Sequence, residues 1–175
     1  MNIVLFGAPG AGKDTLADQL KSFTMISTGK IFRKAAEDKT ELGLLARDKY
    51  WGKGLLCPDN ITNSIIKEAV DKNTGDLLFN GYPRSVDQAK FLNDITKIDL
   101  ILDLDVSESV ATKRLLARGR SDDKEDIIKQ RFREYKDKTL PVSTFFIENG
   151  CNHVYLHANR TPQEVLEEAL YYVKC

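Results

Sequence analysis

Nine consecutive residues carry the clearest chemistry: Gly7, Ala8, Pro9, Gly10, Ala11, Gly12, Lys13, Asp14 and Thr15. Their spacing fits a loop that wraps phosphate. Glycines let backbone amides turn inward around anionic oxygens, and a following helix adds its free N–H groups and dipole. Lys13 reaches a phosphate as a point charge. One position departs from the pattern. Ser or Thr is expected directly after the lysine, but Asp14 stands there and Thr15 comes one later. A hydroxyl contact to a phosphate-bound metal at the usual place is therefore not assumed.

Other reactive residue types point to little. Cys57, Cys151 and Cys175 are odd in number and form no C-x-x-C pair, which indicates neither a cysteine zinc site nor a disulfide framework and fits a reducing compartment. His153 and His157 sit in the apolar stretch HVYLH, without an H-E-x-x-H motif. We read them as partly buried imidazoles of a strand rather than metal ligands.

A phosphate loop needs a strand before it and a helix after it. Ile3 to Phe6 supplies a short apolar run and Lys13 to Ser22 a helical pattern. Further runs at Leu77–Phe79, Asp99–Val106 and His153–Leu156, with Met25-Ile26 as a very short fifth, read as buried strands. Helical patterns cover 58–72, 85–95, 107–118, 125–136, 141–149 and 161–173. The last opens with Thr161 and Glu164 at capping-box spacing. This alternation implies βαβ units, hence a parallel sheet with helices on both faces and ligands at the strands' carboxyl ends.

The 175 residues predict one domain, 42% hydrophobic and 30% charged, with a formal net charge of zero. Zero net charge argues against a general nucleic-acid binder. No apolar run approaches a membrane span, and MNIVLFGAPG lacks the basic region of a signal peptide, so the expected location is cytoplasmic.

Beyond the loop, ordered motifs bring in a family. GAPGAGK with Thr15 resembles the phosphate loop of adenylate kinases and related nucleoside monophosphate kinases. Ile26–Arg33 resembles the family's STGDLLR segment, and Gly54–Pro58 the segment whose backbone holds the acceptor base. Asn80-Gly81-Tyr82-Pro83-Arg84 with Gln88 resembles DG(F/Y)PR and its glutamine. Arg118-Gly119-Arg120-Ser121-Asp122-Asp123 with Arg131 resembles a short lid. The resemblance spans nearly the whole chain. It implies a P-loop NTPase fold, three-layer α/β/α with a five-stranded parallel sheet, in a single domain. The core would cover 1–26, 57–117 and 132–175, a small helical monophosphate-binding insertion 27–56, and a minimal lid 118–131.

The resemblance implies transfer of the terminal phosphate of ATP to a nucleoside monophosphate. Such transfer rests on positioning and charge neutralisation, and needs no general base. Lys13, Arg84, Arg120 and Arg131 would be catalytic. Gly10, Ala11, Gly12, Lys13, Asp14, Thr15, Arg118 and, more loosely, Arg160 would hold ATP. Thr28, Arg33, Leu55, Leu56, Cys57, Gly81, Tyr82, Pro83, Arg84, Gln88, Arg120 and Arg131 would hold the acceptor. Lone arginines otherwise sit on solvated helix faces, and Arg114, one turn before Arg118, is read as such. Thr28 and Gln88 match the adenylate rather than the pyrimidine form, which favours AMP over UMP or CMP.

Magnesium would arrive with ATP, with no direct protein ligand and water-mediated contact at Asp14, Thr15 or Asn80. Only twelve residues separate Arg118 from Arg131, without cysteines, so structural zinc is not expected. The family's short forms imply a monomer. Asn80 and Lys30 stand where the family has aspartates, and Asp14 where it has glycine. Asp14 is read either as replacing the charge lost at Asn80 or as favouring the helix dipole.

Overall fold

The computed structural model describes Met1–Val173; Lys174 and Cys175, including the third cysteine discussed above, lie outside the described residues. Strand β1 (Ile3–Gly7) is buried along its whole length, as a continuous apolar run requires. Its parallel neighbours are β3 (Leu77–Asn80) and β4 (Leu100–Asp105). The edges are β2 (Thr24–Ser27) and β5 (Asn152–His157), giving the order β2-β3-β1-β4-β5. The chain passes from β1 to one side of the sheet and later crosses to the other. The crevice at the carboxyl end of β1 is therefore the topological switch point.

Alternation along the strands fills two faces. Ile3, Leu5, Leu78, Leu102 and Leu104 face α1 (Lys13–Gln19) and α9 (Pro162–Val173). Val4, Phe6, Phe79 and Ile101 face α4 (Asp59–Asp71), α5 (Val86–Ile95) and α8 (Leu140–Glu148). The three-layer α/β/α architecture expected from sequence is present. A smaller cluster, Ala111, Leu115, Ile128 and Phe132, packs α6 (Glu108–Arg118) on α7 (Glu125–Glu134), fixing both ends of the short turn between them.

Two features differ from the periodicity reading. The segment 28–50 gave no helical pattern, yet it forms α2 (Thr28–Glu37) and α3 (Glu41–Lys49), followed by a 3-10 turn at Trp51–Lys53. In α2 the buried face is Thr28, Phe32 and Ala36, a clear but short stripe at helical spacing that the periodicity reading passed over, whereas α3 buries only Gly43 and Ala46 and its stripe is faint. The expected break between 136 and 141 is instead a π-helical turn, Tyr135–Thr139, running straight into α8. Pro141 has no N–H to give and its ring clashes with the carbonyl four residues back, and a wider turn accommodates both. The Thr161 and Glu164 capping box forms as read, with Thr161 N–H donating to Glu164 at 2.9 Å.

Candidate active site

The phosphate loop leaves β1 at the switch point and enters α1. Gly10 has φ +82°, and a Cβ there would lie 2.5 Å from the Ala111 carbonyl of α6, so both backbone freedom and close approach demand glycine. The loop floors a cleft of about 480 Å³, in the size range of ligand sites. Seven basic side chains line this cleft against three carboxylates. A second, smaller pocket of about 90 Å³ adjoins it, lined by Thr28, Trp51, Leu55, Leu56, Cys57 and Gln88 among others. Gly81, Arg33, Arg84 and Arg131 line both. The shared wall is thus cationic.

Two cations of that wall, Arg33 and Arg84, and Lys13 beside them make no ion pair with a carboxylate among the described residues. Lys13 Nζ donates to the carbonyls of Gly7 at 2.6 Å and Ala8 at 2.8 Å, with no carboxylate. Burial, then the like charge of Arg84, pushes its ammonium down to about 7. Arg84 donates from Nε to the Gly81 carbonyl at 2.8 Å; burial and Arg131 push it down to about 10. Burial and Arg120 likewise lower Arg33. Cations held this close without counter-charge favour an incoming polyanion.

The turn between α6 and α7 is held from beneath. Asp123 takes a bidentate pair from Arg118, at 2.9 Å from Nε and 2.7 Å from Nη2, and accepts from the Arg120 N–H at 3.1 Å. Asp122 and Asp123 each take Arg131 Nη1 at 3.3 Å. Arg120 is then free to cross to α1, where Nη2 meets Asp14 Oδ2 at 3.0 Å. Asn80 donates to the other Asp14 oxygen at 2.8 Å. Burial raises the Asp14 carboxyl, but Asn80 and Arg120 outweigh it and hold it down to about 2. Asp14 and Asn80 therefore border the same point, as read from sequence. Lys30 pairs at 2.7 Å with Asp18, one turn further along α1.

Most of the residues singled out from sequence converge on these two pockets. Ala11 is buried in the loop rather than lining the cleft, its N–H donating to Ala8 O at 3.1 Å. Arg160 is exposed, 4.0 Å from Glu168 and outside the cleft lining. Arg114 corrects the solvated-face reading: it is half-buried and lines the cleft beside Arg118, because α6 lies against the loop at Gly10. His153 is half-buried, its Nε2 3.2 Å from Asp103, whereas His157 is exposed and pairs with Glu168, so only one imidazole matches the partly buried reading. No cluster of potential metal ligands occurs among the described residues.

Four functional neighbours were missed from sequence. Asp59 binds Gln88 at 2.7 Å, Thr139 Oγ1 donates to the Arg84 carbonyl at 2.9 Å, and Glu134 and Tyr135 line the cleft. Asp59 was legible only as a helix-start residue. The other three are brought in by the π turn and the residue before it.

A phosphate loop at the switch point of a parallel sheet, facing arginines drawn from several other elements, defines a P-loop nucleotide phosphotransferase. A family model described as adenylate kinase matches residues 5–151. The adenylate kinase of Mycolicibacterium vanbaalenii is 42% identical over 156 residues, covering 83% of this chain and 86% of that protein. Those of Mycobacterium marinum and Mycolicibacterium smegmatis are each 39% identical over the same shares. The chain belongs to the adenylate kinase family. It is a nucleotide-binding transferase, and among the described residues no helix is long and apolar enough to cross a membrane.

Proposed function

We propose that the chain moves the terminal phosphoryl group of ATP to AMP, giving two ADP. The observation carrying this reading is the shared cationic wall. Arg33, Arg84 and Arg131 line both the cleft over the phosphate loop and the smaller pocket that Thr28 and Gln88 line. The loop residues Gly10 to Thr15, with Arg118 and Arg114, would hold the donor. Arg33 and Arg84 would hold the acceptor phosphate, and Arg120 and Arg131 the group in transit. The bond from the terminal phosphorus to the ADP oxygen breaks as one forms to an AMP phosphate oxygen. Charge on the transferred oxygens is met by cations already in place.

Magnesium is part of the donor substrate in this reading and neutralises phosphate charge. Both Asp14 oxygens already accept from Asn80 and Arg120. That donor set suits contact with a metal's water shell rather than direct ligation, and exposed Thr15 at the start of α1 suits the same.

The test is diphosphate production from Mg-ATP with AMP, UMP, CMP, GMP or no acceptor. Turnover with AMP well above the rest is expected. Preferred turnover with a pyrimidine would make the enzyme a UMP/CMP kinase. Tight ATP binding without turnover would make it a non-catalytic nucleotide-binding module.

A further inference from the structure

Gln88 lies in the acceptor pocket and is buried, with a side-chain amide that has two donors and two acceptor lone pairs. Half of that capacity is committed. Nε2 donates to Asp59 Oδ1 at 2.7 Å, and Oε1 accepts from the Arg84 backbone N–H at 2.7 Å. A backbone N–H only donates and a carboxylate only accepts, so the amide has one orientation. Turning it over would set NH2 against N–H and oxygen against oxygen, leaving buried groups unpaired.

The carboxylate is itself fixed. Asp59 opens α4, and its Oδ2 accepts from Ser85 Oγ at 3.1 Å. Ser85 caps α5 by accepting from the Gln88 N–H at 3.2 Å. Tyr82 Oη closes the group, donating to Asn63 at 2.7 Å and lying 3.2 Å from the Gln88 carbonyl.

We propose that Asp59 is a positioning residue that fixes the Gln88 amide and so sets which bases the acceptor pocket reads. This rests on the acceptor assignment above, in which the amide has one N–H and one lone pair left for the base. That pair matches a base edge with a ring-nitrogen acceptor beside an amino donor, as in adenine and cytosine. Guanine and uracil present the reverse order, an oxo acceptor beside a ring N–H, and would need the amide turned over. Asp59 and the Arg84 N–H oppose that turn, and Asp59 is the one that a side-chain substitution removes.

The experiment is steady-state kinetics of the full chain with AMP and with GMP as acceptors, comparing wild type, Asp59→Ala and Asp59→Asn. Asp59→Ala is expected to raise KM for AMP about tenfold, the worth of one charge-assisted hydrogen bond, with kcat changed less than about twofold. The kcat/KM preference for AMP over GMP is expected to narrow about tenfold. Asp59→Asn should keep the wild-type KM, because its amide oxygen still accepts from Gln88. If Asp59→Ala does not fold, Asp59→Ser carries the same readouts, its hydroxyl ending a bond short of the carboxylate oxygens that meet Gln88 and Ser85.

Three outcomes would overturn the proposal. One is an unchanged AMP KM and AMP/GMP ratio in the acceptor-less variant. Another is a fall in kcat at constant KM, and the third is an Asp59→Asn variant as impaired as the alanine. Wild-type turnover of AMP tests the parent reading alone, whereas only the differences among variants test this one.

Discussion

Lys13 is the residue whose type was plainest in sequence and whose state the fold changes most. Its ammonium is pushed from 10.5 to about 7 by burial, then by Arg84. Phosphate favours the charged form, so nucleotide binding at pH 7–8 should take up a proton. The sign follows: affinity for ATP falls as pH rises above about 7, by up to about tenfold per unit. Calorimetry in buffers of different ionisation enthalpy measures the uptake. A binding enthalpy independent of buffer would mean that the lysine is already charged. For the free protein, the unfolded chain keeps this proton between about 7 and 10.5 while the folded one sheds it. The contribution of Lys13 to stability therefore rises with pH across that window. Asp14 works in the opposite sense, as an anion retained among cations. Its two partners, Asn80 and Arg120, come from residues 66 and 106 positions away. Sequence could name the departure from glycine and link it to Asn80, but not to Arg120.

Among the elements, the α2–α3 hairpin was the least legible by periodicity and is among the most exacting in packing. A Cβ on Gly43 would lie 2.2 Å from the Ala35 carbonyl carbon and 2.4 Å from the Ala36 nitrogen. Those are rigid backbone atoms of the neighbouring helix, so the helices must separate. Gly43→Ala should cost about 1–3 kcal/mol in chemical denaturation. Because α2 carries Arg33, it should also raise the acceptor KM more than the ATP KM. Equal changes in both would place the damage outside the acceptor side. The π turn shows the opposite balance. Pro141 was visible in sequence and read as a helix boundary, but the chain stays helical by widening one turn. That turn sets Tyr135 and Thr139 into the cleft wall.

For the whole molecule, the sheet is the platform on which site geometry depends. Ile101 is fully buried beside Val4 at the centre of the sheet. Ile101→Ala should destabilise by about 2–5 kcal/mol, read as a lower midpoint in denaturant. Activity per folded molecule should stay near wild type, since Ile101 lies in the sheet below the cleft. A large loss of kcat in the folded fraction would mean that the platform transmits strain to the loop.

The layered α/β class, the phosphate loop and the register of most cleft arginines were legible along the chain. Short apolar runs, capping residues and glycine spacing are local signals, and ordered motifs preserve a site even when its parts are distant. Which charges pair is set by the folded arrangement. It buried Asp123 under Arg118, set Asp14 against Arg120, brought Arg114 to the cleft and left Arg160 outside it. It also turned Asp59 from a helix-start signal into the acceptor that holds Gln88. A charged side chain's partner is fixed by where separate elements cross, and no local pattern along the chain encodes that crossing.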